Sequence, residues 1–254
     1  MSISFDRAAE YYDRTRALPE GLIPQLAAEL PRDAPCLEIG VGTGRIALPL
    51  VEEGVRVVGI DISLGMVRKL AAKRQGRGPE LVIADATRLP FREGTFACAM
   101  AAHVLHLIPE WEQAVAELLR VVRPGGVIVA SRGGREEGQR GWMQSVRRRF
   151  FDEAAAGPWP PGAGNIEQVD RHMVRLGATV RDLPLPAHET ERTVNEVVAN
   201  LEAGYWSACW ELDDATRKHA AAATRDWAAR ELGDLDVRRP AVQRSVWHLY
   251  RLRK

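Results

Sequence analysis

Short apolar runs alternate with amphipathic stretches through the first half of this chain. The apolar runs span residues 36–40, 55–61, 80–84, 95–102 and 127–131. Helices are expected between them, over 45–53, 63–75 and 110–122. Ser63 is the expected N-cap of the second helix, and Pro124-Gly125-Gly126 should stop the third. Strands that alternate with helices in this way predict a parallel sheet with helical crossovers.

The regular alternation of predicted strands and helices ends after residue 131. We expect helices over 138–156 and 166–176, a loop over 157–164, and strands over 178–183 and 245–253. A helical insert, 193–232, lies between these two strands. A length of 254 residues suits one α/β domain with an insertion better than two full domains.

The composition of the chain limits the kinds of partner and the cellular location that we expect. A formal charge of +1 gives no general attraction to nucleic acid or to an anionic membrane. No apolar run approaches the ~18 residues of a membrane span, and the N-terminus has no signal-peptide pattern, so we expect a cytoplasmic protein. Cys36, Cys98 and Cys209 form no CxxC pair. The first two fall in apolar runs, which predicts buried free thiols.

Three glycines, Gly40, Gly42 and Gly44, separate the first strand from the first helix. Glycines let the backbone turn sharply and approach a ligand closely, and the helix behind them presents free N–H groups. The dinucleotide pattern GxGxxG is met only in relaxed form, read from Gly42 with Ala47 in last place. Asp61, at the end of the second strand, can accept hydrogen bonds from ribose hydroxyls. Nicotinamide dinucleotides and S-adenosylmethionine both contain ribose, so these residues leave both cofactors open.

Asp85 closes the third strand at the same edge of the sheet. A carboxylate there can accept from an adenine amino group, with the N–H of Ala86 opposite the ring. The alternative is a structural role, in which Asp85 caps the turn at Thr87.

Four blocks resemble, in order and spacing, the motifs of class I S-adenosylmethionine-dependent methyltransferases, in particular the small-molecule, methyltransferase type 11-like branch. They are EIGVGTG (38–44), Asp61, ADATRLPF (84–91) and LLRVVRPGG (118–126). The segment FDRAAEYYDRTR (5–16) is similar to the N-terminal helix that caps the cofactor in that branch.

The resemblance implies an α/β three-layer sandwich with a mostly parallel seven-stranded sheet, ordered 3-2-1-4-5-7-6, whose last strand is antiparallel. It implies one methyltransferase domain over 1–254, with cap helices in 1–35 and a cofactor-binding core in 36–131. Segments 138–176 and 193–235 are the expected helical lid. The helices over 138–156 and 193–232 exceed what the cofactor fold needs, and such helices commonly shape the acceptor pocket.

S-adenosyl-L-methionine is the implied cofactor. Glu38 would lie near its methionine part, Asp61 on the ribose and Asp85 on the adenine. Ile62 and Met66 would pack on the adenine face, or alternatively in the core. The full implied set is Tyr12, Arg16, Glu38, Gly40, Gly42, Gly44, Asp61, Ile62, Met66, Asp85, Ala86 and Ala101. The family usually has an aspartate after the phenylalanine of the fourth strand, but Ala97 follows Phe96 here, which removes one orienting carboxylate.

Methyl transfer is an in-line displacement that depends on positioning and on water exclusion, and it needs a general base only if the nucleophile carries a proton. His103 and His106 follow the fourth strand in AAHVLHLIPEW (101–111). His103 is the better candidate for a base because it comes first, and His106 is a candidate acceptor contact. The alternative for either is a hydrogen-bonded structural histidine. No third ligand is spaced to complete a metal site with them, so no metal is expected.

Three aromatic residues of the insert, Tyr205, Trp206 and Trp210, are spaced so that pairs of them could share a helix face. They would either line an acceptor pocket or pack the insert. The run Arg147-Arg148-Arg149 resembles a nucleic-acid patch, but we expect a solvated helix face.

The expected partner is a small-molecule methyl acceptor, with no membrane and no nucleic acid; monomer and homodimer both stay open. Three other functions compete. An RNA methyltransferase should show a basic face, which the net charge does not indicate. A non-catalytic cofactor-binding protein would bind without turnover. A nicotinamide-dependent oxidoreductase should carry a Tyr-x-x-x-Lys pair, and the match, Tyr250 to Lys254, falls on a predicted strand.

Overall fold

The chain divides into two compact units in a computed structural model that describes residues 4–6, 12–15, 18–74, 76–136, 141–157 and 161–253. The first unit comprises Met1–Gly133, Pro160–Pro186 and Ser245–Lys254. The second comprises Gly134–Trp159 and Ala187–Arg244. This division cuts the predicted lid segment 138–176 in two.

The sheet confirms the predicted topology. Its strands are β1 (Cys36–Ile39), β2 (Val57–Asp61), β3 (Glu80–Ile83), β4 (Phe96–Ala102), β5 (Val122–Glu136), β6 (Thr179–Asp182), β7 (His188–Arg192) and β8 (Arg239–Arg251). The order is β3-β2-β1-β4-β5-β8-β6, with β1 to β5 parallel and β8 antiparallel to β6. The extra strand, β7, was not predicted and pairs with the first part of β8.

The helices of the first unit are α1 (Leu22–Glu29), α2 (Ala47–Glu52), α3 (Leu64–Lys73), α4 (Trp111–Val121) and α6 (Ile166–Arg175). Ser63 caps α3 as predicted, because its hydroxyl accepts a hydrogen bond from the Met66 N–H at 3.2 Å. Pro124-Gly125-Gly126 follows the end of α4 as predicted: the helix ends at Val121, and Pro124 stands two residues after the C-cap Val122. The same three residues form an irregularity inside β5, where the register with β4 shifts.

Apolar side chains cover both faces of this sheet, as the continuous apolar run of β4 predicted. Ala99 and Ala101 face one core cluster, which also contains Ile166, Val169 and Met173 of α6. Cys98 and Met100 face the other cluster, on the side of α1 and α2. The alternation places successive residues of one strand in different clusters. Cys36 and Cys98 are buried free thiols, as expected, and so is Cys209.

The second unit contains α5 (Trp142–Glu153), α7 (Val194–Glu202), α8 (Asp214–Glu231) and the hairpin-like pairing of β7 with the first part of β8. Thr193 and Glu196 form a capping box at the start of α7. The core of this unit is built by Met143, Val146, Phe150, Val194, Val198, Leu201, Cys209, Ala220, Ala221 and Ala228. None of the helices in the described part of the chain is long and apolar enough to cross a bilayer.

Candidate cofactor and active site

The glycine loop after β1 is built on left-handed backbone. The φ angles are +66° at Gly40, +56° at Gly42 and +78° at Gly44, a region that glycine enters at no steric cost. A Cβ on Gly40 would lie 2.6 Å from the side chain of Val104, and one on Gly44 would collide with Leu70. A Cβ on Gly42 would meet only the carbonyl oxygen of Gly40, 3.9 Å away. Gly42 therefore leaves room beside the loop, as a cofactor would require.

Glu38 is a buried carboxylate at the end of β1, with 2% of its surface exposed. Its Oε2 atom has no hydrogen-bond partner among the described residues. Burial raises the pKa of Glu38 to about 8; the guanidinium of Arg45 opposes this shift and the Asp61 carboxylate adds to it. An unsatisfied buried carboxylate is costly in an empty site and favourable beside a cation. The buried carboxyl group of Glu38 therefore fits S-adenosylmethionine, whose methionine part carries an ammonium group and a sulfonium.

Asp61 holds the glycine loop against the end of β2. Its Oδ2 atom accepts a hydrogen bond from the Gly42 N–H at 2.8 Å, and its Oδ1 atom accepts one from the Ser63 N–H at 2.8 Å. Burial raises the pKa of Asp61 although these N–H groups lower it. A carboxylate oxygen has two lone-pair sites, so both oxygens keep capacity for ribose hydroxyls. The structure thus adds a loop-anchoring role to the predicted ribose contact.

Asp85 takes the structural role that we weighed against adenine binding. Its Oδ1 atom accepts from both the N–H and the hydroxyl of Thr87, each at 2.9 Å. Its Oδ2 atom receives no hydrogen bond from the part of the chain that the structure describes. The two roles are compatible, because the cap uses only one carboxylate oxygen.

The apolar members of the predicted set are more buried than a ligand contact suggests. Met66 is 1% exposed, Ala86 is 8% exposed and Ala101 is fully buried between Ile39 and Ala130. Only Ile62 has a partly exposed side chain. This burial is what core packing, one of the two interpretations open for Met66, requires, and the cofactor contacts of Met66 and Ala101 stay a prediction.

Two acids that sequence reasoning missed connect the N-terminal segment to the glycine loop and to the start of α3. Asp13 accepts from the hydroxyl of Thr43 at 2.5 Å and pairs with Lys73 at 2.5 Å. Asp6 accepts from the hydroxyl of Ser63 at 2.8 Å and from a backbone N–H of α3 at 2.6 Å. Burial raises the pKa of Asp13, but the hydrogen bonds from Lys73 and Thr43 outweigh it and lower that pKa. Both acids stand in the segment 5–16 that was predicted to cap the cofactor, Asp6 near its start and Asp13 directly after Tyr12.

Tyr12 of the predicted cap lies in a short 3-10 helix, Tyr12–Thr15, with its ring edge-on to Phe5 at a centroid distance of 6.1 Å. Arg16 lies outside the described residues. Asp13, the next residue in the chain, contacts Thr43 of the glycine loop, so this 3-10 helix lies beside that loop.

His103 follows β4 directly and has a left-handed backbone, with φ of +53°. Its N–H donates to the carbonyl oxygen of Ser131 on β5 at 2.8 Å. Its ring is edge-on to the ring of Trp247, with centroids 6.0 Å apart. Left-handed backbone is uncommon outside glycine, and it persists where the surroundings determine it. The chain turns sharply here, at the carboxyl edge of the sheet.

His106 lies in the next turn, a 3-10 helix over Leu105–Leu107. Its carbonyl oxygen accepts from the Gly162 N–H at 3.0 Å, and the carbonyl oxygen of Leu105 accepts from the Ala163 N–H at 3.2 Å. A loop from far along the chain is therefore fixed against the turn that follows β4. Sequence reasoning did not anticipate this contact.

The prediction that pairs of aromatic residues, Trp206 with Trp210 and Tyr205 with Trp210, share a helix face is wrong. All three follow the end of α7, where Gly204 has φ of +71°, and none lies in an α-helix. The indole N–H of Trp210 donates to the Gly204 carbonyl oxygen at 3.0 Å. Trp206 packs against the core of the second unit. Trp206 therefore has the packing role that we weighed against an acceptor pocket.

The arginine run on α5 forms local contacts rather than a basic patch. Arg148 is 3.8 Å from Asp152, and Arg149 pairs with Glu153, both one helical turn away. The guanidinium of Arg147 lies 4.0 Å above the ring of Trp206. Of the expected solvated helix face, Arg148 is exposed, whereas Arg147 and Arg149 are half-buried and Arg147 stacks on an aromatic ring.

Tyr250 does not fit the role of the tyrosine in an oxidoreductase Tyr-x-x-x-Lys pair. It is fully buried in β8, and its hydroxyl donates to Asp170 at 2.7 Å. Its hydroxyl is therefore committed to a structural hydrogen bond.

This sequence matches a methyltransferase family model and known proteins that are named as methyltransferases. Residues 37–130 match the family model described as a methyltransferase domain. A demethylmenaquinone methyltransferase of Streptomyces griseus is 31% identical over 187 residues, which are 71% of this chain and 78% of that protein. A demethylmenaquinone methyltransferase of Renibacterium salmoninarum is 36% identical over 95 residues, but that match spans only 39% of its length and 37% of this chain.

The fold has solved counterparts as well. A methyltransferase structure from Thermotoga maritima superposes with a TM-score of 0.57 at 16% identity, covering 98% of each chain. At that identity the similarity shows the fold alone.

Proposed function

This chain belongs to the class I S-adenosylmethionine-dependent methyltransferases, and we propose that it methylates a small molecule bound at the carboxyl end of β4. His103 would accept the proton of the acceptor's nucleophilic group. S-adenosylmethionine would supply an electrophilic methyl group on its sulfonium sulfur, which departs as a neutral thioether and needs no acid.

The binding residues have separate tasks in this proposal. Glu38 would compensate the positive charge of the methionine part, because its carboxylate is buried and its Oε2 atom lacks a donor among the described residues. Asp61 would hold the ribose while it keeps Gly42 in place. The remaining oxygen of Asp85 would accept from the adenine amino group. Each task uses an atom that the protein's own contacts leave with capacity.

The main support for an acceptor site at this position is the left-handed backbone of His103. A left-handed residue that is not glycine costs ~1–3 kcal/mol and tends to occur at functional sites. The hydrogen bond to Ser131 holds that turn, and the edge of Trp247 limits where the imidazole can rotate. A positioned imidazole can take a proton at neutral pH, which contributes about a hundredfold to ten-thousandfold to a rate.

The test is methyl transfer from labelled S-adenosylmethionine to a panel of acceptors. Demethylmenaquinol belongs in the panel because two similar proteins carry that activity in their names, beside small phenols, amines and carboxylic acids. Asp61→Ala serves as the control with a damaged cofactor site. Transfer to one acceptor class by the wild type and not by the control supports the proposal. Binding of S-adenosylhomocysteine without transfer to any acceptor contradicts it and indicates a non-catalytic protein.

A further inference from the structure

Arg132 lies at the carboxyl edge of the sheet, one residue beyond the anchor of His103. Ser131 pairs with Ala102 at the end of β4, and its carbonyl oxygen receives the His103 N–H. Arg132 follows it in β5. The side chain of Arg132 therefore leaves the backbone beside the turn where we place the acceptor.

The surroundings of Arg132 are unusual for an arginine in this protein. Its side chain is partly buried, and its Nε–H donates to the carbonyl oxygen of Ala163 at 3.3 Å. No carboxylate in the described part of the chain pairs with it, whereas Arg120 and Arg123 each have an acidic partner 2.7 Å away. Burial lowers the pKa of Arg132 below its usual value. A cation that is removed from water without a counter-charge costs free energy, which an anionic ligand would recover.

The bond to Ala163 also fixes the orientation of the guanidinium. Ala163 and Gly162 are themselves hydrogen-bonded to the turn that contains His106. Gly162 approaches this turn so closely that a Cβ would collide with the carbonyl oxygens of Leu105 and Ile108. A rigid loop thus holds the Nε edge of Arg132. The two terminal nitrogens remain, and their parallel N–H groups match the two oxygens of a carboxylate.

We propose that Arg132 binds a carboxylate of the methyl acceptor, so that the substrates are small carboxylic acids methylated at another group. This inference rests on the proposed function, because it places the acceptor at the same edge of the sheet. It also predicts that neutral quinols are poor substrates.

The first test measures binding without turnover. Benzoate and its neutral analogue benzamide are titrated into the protein saturated with S-adenosylhomocysteine, using wild type, Arg132→Gln and Arg132→Lys. We expect the wild type to prefer benzoate, and Arg132→Gln to lose about ten- to a hundredfold of benzoate affinity with no change for benzamide. Arg132→Lys should fall between them, because lysine keeps the charge without the fork.

Two results would overturn the inference. One is equal benzoate affinity in wild type and Arg132→Gln. The other is a comparable loss of S-adenosylhomocysteine affinity in Arg132→Gln, which would assign the guanidinium to the carboxylate of the cofactor. Melting temperatures of the three proteins report whether the loop contact with Ala163 matters for folding. If Arg132→Gln does not fold, the comparison of Arg132→Lys with wild type decides by the same criterion.

A kinetic test separates this inference from the proposed function. For acceptors that are methylated, Arg132→Gln should raise KM for the carboxylic acid about ten- to a hundredfold and leave KM for its methyl ester unchanged. Equal KM changes for both would reject the carboxylate contact while leaving the methyltransferase function intact. Absence of all transfer would reject the function, and the benzoate titration would still decide the contact.

Discussion

The carboxylate of Asp61 accepts a hydrogen bond of 2.8 Å from the backbone N–H of Gly42, across the gap between β2 and the glycine loop. The same carboxylate accepts from the Ser63 N–H, the residue that caps α3. One side chain therefore connects the loop, the strand and the following helix. Its loss should affect cofactor binding and loop order together.

The first prediction concerns this carboxylate. Asp61→Ala should weaken binding of S-adenosylhomocysteine by ~1.5–3 kcal/mol, about ten- to a hundredfold, because it removes the ribose acceptor and frees Gly42. Calorimetric titration measures the affinity, and circular dichroism checks the fold. Asp61→Asn is the matched variant, since its remaining oxygen can keep one backbone contact. An unchanged affinity in folded Asp61→Ala would mean that the ribose is held elsewhere.

The second prediction concerns the pH dependence of stability. The pKa of Glu38 is raised from 4.5 to about 8 in the folded protein, so the folded state keeps a proton that the unfolded chain releases. The free energy of unfolding of the ligand-free protein should therefore fall as pH rises from 4.5 to 8, by up to a few kcal/mol. Glu38→Gln carries no titratable group and should lack this component. Parallel curves for the two proteins in denaturant titrations across this range would contradict the assignment.

The same carboxylate should couple protons to cofactor binding. A cation beside Glu38 favours the ionised form, so binding of S-adenosylhomocysteine below pH 8 should release a proton from this residue. Affinity should rise with pH towards 8 in the wild type and stay level in Glu38→Gln. Calorimetry in two buffers of different ionisation enthalpy counts the protons. Equal proton release by both proteins would place the coupling on another group.

The fourth prediction tests His103 as a base. Asparagine tolerates left-handed backbone, so His103→Asn removes the imidazole while the turn is kept. With an acceptor whose nucleophile carries a proton, kcat should fall about a hundredfold to ten-thousandfold, and S-adenosylhomocysteine affinity should not change. His103→Gly, which relieves the backbone strain, is the control for stability. A kcat within about twofold of the wild type in His103→Asn would leave the histidine with a structural role only.

The last prediction concerns the N-terminal segment as a cover for the cofactor. Hydrogen exchange in residues 1–18 should slow when S-adenosylhomocysteine binds, and Asp13→Asn should reduce this protection because it weakens the contacts with Thr43 and Lys73. Glu20→Gln, which changes an exposed acid nearby, is the control. The effect on global stability should stay below about 1 kcal/mol, since the ion pair is partly exposed.

Exchange around Tyr205 distinguishes two roles for the helical insert in the same experiment. Slowing on cofactor binding is expected if the insert acts as a lid. A response to protein concentration and not to the cofactor would identify a dimer surface instead. That outcome would remove the lid role from the insert and leave it to the N-terminal segment.

The sequence by itself determined the alternation of strands with helices, the position of the glycine loop and the acid at the end of β2, whereas the sheet order followed from the resemblance to class I methyltransferases. These features depend on local rules: apolar periodicity reports which side of a strand or helix is buried, and glycine reports backbone that other residues avoid. Gly40 and Gly42 could be identified without any knowledge of what packs against them. The cap at Ser63 was equally visible, because it involves residues three positions apart.

Only the tertiary structure decided which distant groups meet. Asp13 contacts Thr43 thirty residues away, and Arg132 contacts Ala163 thirty-one residues away. The apolar periodicity of the sequence does not indicate either contact. Each contact depends on how whole helices, strands and loops pack, and not on the neighbours of each residue in the chain. The prediction for the aromatic residues after α7 was wrong for a different reason, because a local helix-ending signal, Gly204, was not taken into account. Gly204 ended the helix that their spacing presumed, and the core of the second unit determined where Trp206 lies.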